Sequence, residues 1–171
     1  MSDEIKFEGK FLKVIKTDHW EWVQRKGCTG ACVIVPLTAN NELVLVEQYR
    51  YPVKANCIEF PAGLVADIDK EETPQLSAQR ELLEETGYQA VSMSSGEAMY
   101  SSAGLTDELT TVFVAYGCEK VAEGGGDDTE DITVHVVPLE EIYDWIHKMR
   151  GEGKAISSNI FYGLNFVKDY Q

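Results

Sequence analysis

Positive charge is scarce in this chain: 15 lysine and arginine residues stand against 29 aspartate and glutamate, a formal net charge of −14 over 171 residues. No basic stripe is available to displace counterions from a phosphate backbone, which argues against nucleic acid as a partner. Long hydrophobic runs are missing too. None approaches the roughly 18 apolar residues of a membrane span, and the opening MSDEIKFEGK is polar and charged, without the apolar core of a signal peptide. Cysteine is sparse. Cys28, Cys32, Cys57 and Cys118 show no paired-knuckle spacing, and no histidine lies near Cys28 and Cys32. That pattern excludes a zinc knuckle and predicts reduced, partly buried thiols in a cytoplasmic protein. Internal repeats and long linkers are also absent, so one domain spanning residues 1–171 is expected.

Two β-branched runs surround Asn40-Asn41 in ACVIVPLTANNELVLVEQYR, the pattern of a hairpin. Before them, Phe7 to Lys16 and Trp20 to Arg25 alternate loosely and read as two strands joined at Thr17-Asp18. Cys57 to Phe60 reads as a short strand ending at Pro61-Ala62-Gly63, and further strands are expected at Ala98 to Ser101, Thr110 to Tyr116 and Ile132 to Val137. Thr73-Pro74 is a cap followed by a first-turn proline, so a helix starts there and stops at Gly87. Leu139 to Met149 carries Ile142, Trp145, Ile146 and Met149 at helical spacing, and Ser158-Asn159 opens a last helix. The class is α/β in the loose sense (α+β): a mixed sheet between helices, with an N-terminal strand extension over residues 1–27.

The capped helix holds an unusual cluster. In SAQRELLEETGY, Glu81 and Glu85 are four residues apart with Glu84 beside them, a like-charge spacing that weakens a helix unless a cation sits on it. Taken alone it also suits a solvated face. The neighbouring turn adds backbone carbonyls, and carboxylate and carbonyl oxygens are the donors a hard cation prefers. An anionic ligand on so acidic a chain also needs a cation between the two.

These residues resemble the box of the Nudix hydrolases. Glu72, seven residues, and then Arg80-Glu81-Leu82-Leu83-Glu84-Glu85-Thr86-Gly87 match that motif, with Tyr88 in its last aliphatic slot. The departure is at the front, where Gly63 precedes Glu72 by nine residues instead of six, so LVADIDKEE is a loop with a three-residue insertion. Outside the box, VIVPLTANNELVLVEQYRYPV with IEFPAG, SSAGLTDE and DDTEDITVHVVPLEEIYDWI resemble the ADP-ribose and nucleoside-diphosphate-sugar pyrophosphatases, with Ala103 where that group often has proline.

The resemblance implies a Nudix fold and hydrolysis of the pyrophosphate bond of a nucleoside diphosphate sugar with Mg²⁺, or with Mn²⁺ as the alternative cation. It assigns metal binding to Glu81, Glu85, Glu130 and the carbonyl of Ala62, with Glu84 as a further or supporting ligand. It makes Asp128 the general base and Glu108 the rival. It also implies a homodimer in which the N-terminal strands line the base pocket. The residues' own reading stays open in places. Arg50 suits either a phosphate fork or a surface salt bridge. Trp20 and Trp22 share one strand face and suit either base stacking or an interface. EGGGDDTED suits either a closing loop or a solvated acidic turn. His135 reads as a packed strand residue. Two other functions are compatible with the box: hydrolysis of dinucleoside polyphosphates or damaged nucleotides, and ligand sensing without catalysis.

Overall fold

The computed structural model describes residues 2–126 and 131–168. An N-terminal antiparallel sheet comprises β1 (Asp3–Glu8), β2 (Leu12–Thr17) and β3 (Trp20–Arg25), in that order. The expected single strand from Phe7 to Lys16 is instead broken by a turn in which the Gly9 N–H donates to the Leu12 carbonyl at 2.8 Å. Glycine followed by lysine reverses the chain there, so one strand becomes two.

The main sheet uses β4 (Gly30–Thr38), β5 (Glu42–Arg50), β6 (Ala55–Glu59), β7 (Ala62–Val65), β8 (Tyr88–Gln89), β9 (Ser92–Tyr100), β10 (Leu109–Lys120), β11 (Ile132–Pro138) and β12 (Ala155–Ile156). The helices are α1 (Pro74–Thr86), α2 (Ile142–Gly151) and α3 (Ser158–Lys168). The sheet is mixed: β4 runs parallel to β10 and β12 to β6, while the other pairs are antiparallel. Successive residues of β4 bury on opposite faces. Val33 and Val35 join Ile58, Phe60, Ile160 and Leu164 on the face covered by α2 and α3, whereas Cys32 and Ile34 join Ala78, Leu82 and Phe113 under α1. A strand apolar on both faces is what helices on both sides require. Each such fully buried branched side chain contributes about 1.5–3 kcal/mol.

The hairpin of β4 and β5 creates the space for a site. Its two strands are in register only at Leu37 and Leu43, beside the Asn40-Asn41 turn. Beyond that point β4 leaves β5 and pairs with β7, from Val33 opposite Ala62 to Gly30 opposite Val65. β5 meanwhile pairs with β6 and β11. Phe60-Pro61 bridges the parting strands, with the Ile34 N–H donating to the Pro61 carbonyl at 2.8 Å. The sheet therefore opens into a cleft beside the Pro61-Ala62-Gly63 turn.

Candidate active site

The ends of α1 are fixed locally. Thr73 Oγ1 accepts from the Leu76 N–H at 3.3 Å, Pro74 occupies the first turn, and Gly87 closes the helix with φ +74°. A side chain at Gly87 is excluded twice: by that left-handed backbone and by the Ala122 carbonyl oxygen, 2.1 Å from where a Cβ would lie. The Gly125 and Gly126 N–H groups donate to the Glu85 and Glu84 carbonyls at 2.8 and 3.0 Å, so the root of the glycine-rich loop is hydrogen-bonded to the helix end.

Arg80 organises the acids. Its guanidinium lies 2.9 Å from Glu81, 3.0 Å from Glu84, 3.1 Å from Glu72 and 3.5 Å from Asp67. Burial works against the Arg80 charge, but Glu72, Glu81 and Glu84 more than offset it and hold its pKa above the ordinary arginine range. Hydrogen bonding from Arg80 holds Glu72 below the usual carboxylate range. Glu81 behaves oppositely: burial of its carboxyl pushes it up to about 7 despite Arg80, with Glu84 and Asp67 adding repulsion. Glu85 is buried, and its Oε2 accepts from the Ala62 N–H at 3.2 Å. The helix acids and the strand–loop turn therefore meet directly.

That meeting explains the glycine of the turn. A Cβ on Gly63 would fall 2.0 Å from Oε1 of Glu81. Only a residue without a side chain lets the Glu81 carboxylate lie against this backbone.

A cavity of about 660 Å³ opens here, and Ala62, Glu81, Glu84, Glu108 and Arg50 all line it. Arg50 is engaged by Glu59 through a two-point fork, Nε to Oε1 at 2.9 Å and Nη2 to Oε2 at 2.8 Å. Glu108 pairs with Nε of Arg25, and its backbone N–H donates to the Thr106 hydroxyl oxygen at 3.1 Å. Trp20 and Trp22 do not reach this cavity within the chain. They line a separate hollow of about 310 Å³ with Tyr100, Ala103, Thr106 and Asp107. Asp128 and Glu130 lie outside the described residues. His135 is packed as expected, with Nε2 3.1 Å from Glu47 and its ring against Trp145.

Several site residues carried no sequence signal. Asp67 and Lys70, in the inserted loop, are tied inward: Asp67 faces Arg80, and Lys70 Nζ donates to the carbonyls of Gly27 and Ala66 at 2.5 and 2.8 Å. The insertion thus fastens the box loop to the chain leaving β3. Ser157, Ser158, Asn159 and Tyr162 line the cavity from the start of α3. The Ser-Ser-Asn run signals a helix start, but nothing in the sequence places that start at the cleft.

Among the described residues, no group of three His, Cys, Asp or Glu side chains forms a ready-made cage. The chemistry still fits a hard divalent ion. Glu81, Glu84 and Glu85 supply oxygen donors beside a turn backbone that Gly63 keeps open.

Comparison with known proteins agrees with this geometry. The NUDIX domain model matches residues 29–159, about three quarters of the chain. The methanol dehydrogenase activator of Bacillus methanolicus is 35% identical over 122 residues, covering 71% of this chain and 64% of that protein. The ADP-ribose pyrophosphatase of Bacillus subtilis (strain 168) is 35% identical over 113 residues, covering 66% of this chain and 60% of that protein. The chain thus spans less than two thirds of the length of either relative. A crystal structure of an ADP compounds hydrolase superposes with a TM-score of 0.74 at 18% identity, covering 99% of this chain and 91% of that one, which shows a shared fold. With its box helix, its glycine turn and its split sheet in these places, the chain belongs to the Nudix domain family.

Proposed function

We propose that this protein hydrolyses the pyrophosphate bond of nucleoside diphosphate sugars, such as ADP-ribose, ADP-glucose or GDP-mannose, in an Mg²⁺-dependent reaction. Water adds to one phosphorus, the bridging P–O bond breaks, and the products are a nucleoside monophosphate and a sugar phosphate. The observation that carries this reading is the seating of Glu81 against Gly63 on the wall of a cavity of about 660 Å³. The likeness to an ADP-ribose pyrophosphatase supports the substrate class.

Glu81, Glu85 and the Ala62 carbonyl, with Glu84 in support and Glu130 from the loop, would hold the cation. When bound, it neutralises the diphosphate and makes water more acidic. The chain's own residues do the rest. Arg80 orients Glu81 and Glu84. Arg50, held in the wall by Glu59, presents positive charge to the diphosphate. The water's proton goes to Asp128, with Glu108 as the alternative base in the cavity wall. We further propose that residues 1–171 act as one Nudix unit in a cytoplasmic homodimer. The sheet of residues 1–27 would then bring Trp20 and Trp22 to the base in the assembled protein.

A panel of nucleoside diphosphate sugars with Mg²⁺ tests the reading. Release of nucleoside monophosphate and sugar phosphate in equal amounts is expected. Release of inorganic phosphate alone, or no turnover of any panel member, would refute it.

A further inference from the structure

The cavity has two chemically different walls. One carries the carboxylates of Asp67, Glu81, Glu84 and Glu108; the other is the start of α3, with Ser157 just before the helix, Ser158 and Asn159 in its first turn and Tyr162 in the next. Ser157 caps this helix, its Oγ accepting from the Asn159 N–H at 3.4 Å. The 11-residue helix thus directs the positive end of its dipole toward the cleft.

Asn159 supplies an independent observation. It is 6% exposed, and its side-chain oxygen accepts from the Phe60 N–H at 3.3 Å. Because the partner is an N–H, the atom facing it must be the oxygen, which fixes the amide's orientation. Nδ2 is then left as a donor; it makes no hydrogen bond among the described residues and is not sealed from solvent, so it opens on the cavity that Asn159 lines. Phe60 precedes the Pro61-Ala62-Gly63 turn, so the same side chain is anchored to the segment that seats Glu81. Tyr162 lies three residues further along the same helix face. Burial, followed by the nearby Glu59, pushes its hydroxyl up to about 12, so it too is a donor at neutral pH.

Resting on the hydrolase reading above, we infer that the first turn of α3 seats the sugar-phosphate half of the substrate, with Asn159 Nδ2 donating to its phosphate. The acids face the diphosphate from one side through a cation, and neutral donors face it from the other without one. This wall offers amide and hydroxyl donors and a single aromatic ring. It suits a phosphorylated polyol better than a base, whose faces require stacking partners. Asn159 is thereby a specificity-determining residue for the leaving half of the substrate.

The test exploits isosterism. Asn159→Asp keeps an oxygen for the Phe60 N–H and replaces the donor facing the cavity with an acceptor. Calorimetry in Mg²⁺ buffer uses ribose 5-phosphate and AMP as probes, alongside steady-state kinetics on the substrate panel. Ribose 5-phosphate affinity is expected to fall about tenfold or more, the scale of one lost hydrogen bond to a charged group. AMP affinity should change less than about twofold, and the KM for the intact substrate should rise with the loss of sugar-phosphate affinity. Tyr162→Phe, which keeps the ring, should weaken ribose 5-phosphate several-fold and decides the matter if Asn159→Asp does not fold. Unchanged ribose 5-phosphate affinity in the folded variants, an equal loss for AMP, or no binding of ribose 5-phosphate to the wild type would overturn the assignment. Failure of the wild type to hydrolyse any panel member would refute the hydrolase reading, while the calorimetry still decides the α3 seat.

Discussion

Replacing Gly63 by alanine should separate folding from activity. Gly63 is not in a left-handed conformation, so alanine meets no backbone strain; the three atoms nearest the new Cβ all belong to the Glu81 side chain, with Cδ and Oε1 at 2.0 Å and Cγ at 2.4 Å. That carboxyl is the far end of a flexible side chain, so it can swing away while α1 stays in place. The cost to the fold is the Glu81–Arg80 contact at 2.9 Å. A charged, partly buried hydrogen bond is worth about 1.5–3 kcal/mol, and part of it is regained as the carboxylate reaches water. A net loss of about 1 kcal/mol corresponds to a fall in Tm of roughly 2–4 °C for a chain of this size. The cost to activity is far larger. A displaced ligand, or a shift of about 1 Å at the reacting centre, costs on the order of 10²-fold. Calorimetric melting and turnover in saturating Mg²⁺ are the two assays. Full turnover would refute the role of Glu81, and global unfolding would show that Gly63 serves the fold and not the site.

Three further outcomes are expected. In EDTA, stability should fall as pH rises from about 4.5 to about 7. Folded Glu81, raised from 4.5 to about 7, keeps a proton there that the unfolded chain has lost. The full effect is about 3 kcal/mol at most, present below this window and lost above it; urea titrations at both ends measure it, and Glu81→Gln should flatten the dependence. Asp128→Asn should lower kcat by about 10²–10⁴-fold with KM nearly unchanged, and Glu108→Gln should cost less in kcat; the reverse order moves the base to Glu108. Sedimentation at micromolar concentration should show a dimer, and a Trp20/Trp22 double alanine variant should raise KM; a monomer with unchanged KM would refute the shared base pocket.

The box helix was legible because its signals are local. Thr73, Pro74 and Gly87 each act on their own backbone, and the structure uses all three as their chemistry dictates. The hairpin at Asn40-Asn41 was legible for the same reason, with Asn41 at φ +62°. What escaped the sequence depends on distant partners. β9 was expected only from Ala98 but begins at Ser92, because SMSSGEAMY has little apolar alternation and is held by backbone pairing to β10. β7 was hidden inside a turn motif, since Ala62–Val65 becomes a strand only when β4 leaves β5. The fork between Arg50 and Glu59 depends on β5 lying antiparallel to β6. Asn159 reaches the cleft only because α3 packs back over Phe60.

The Mg²⁺ dependence of turnover in wild type and Glu85→Gln tests the central claim most directly. Glutamine keeps an oxygen for the Ala62 N–H, which Glu85 holds at 3.2 Å, so the fold should survive. Wild-type hydrolysis of the preferred nucleoside diphosphate sugar should vanish in EDTA and return on Mg²⁺ addition. Glu85→Gln should remain about 10²-fold or more below it at saturating Mg²⁺. Near-wild-type turnover in folded Glu85→Gln, or wild-type turnover that persists in EDTA, would contradict the account.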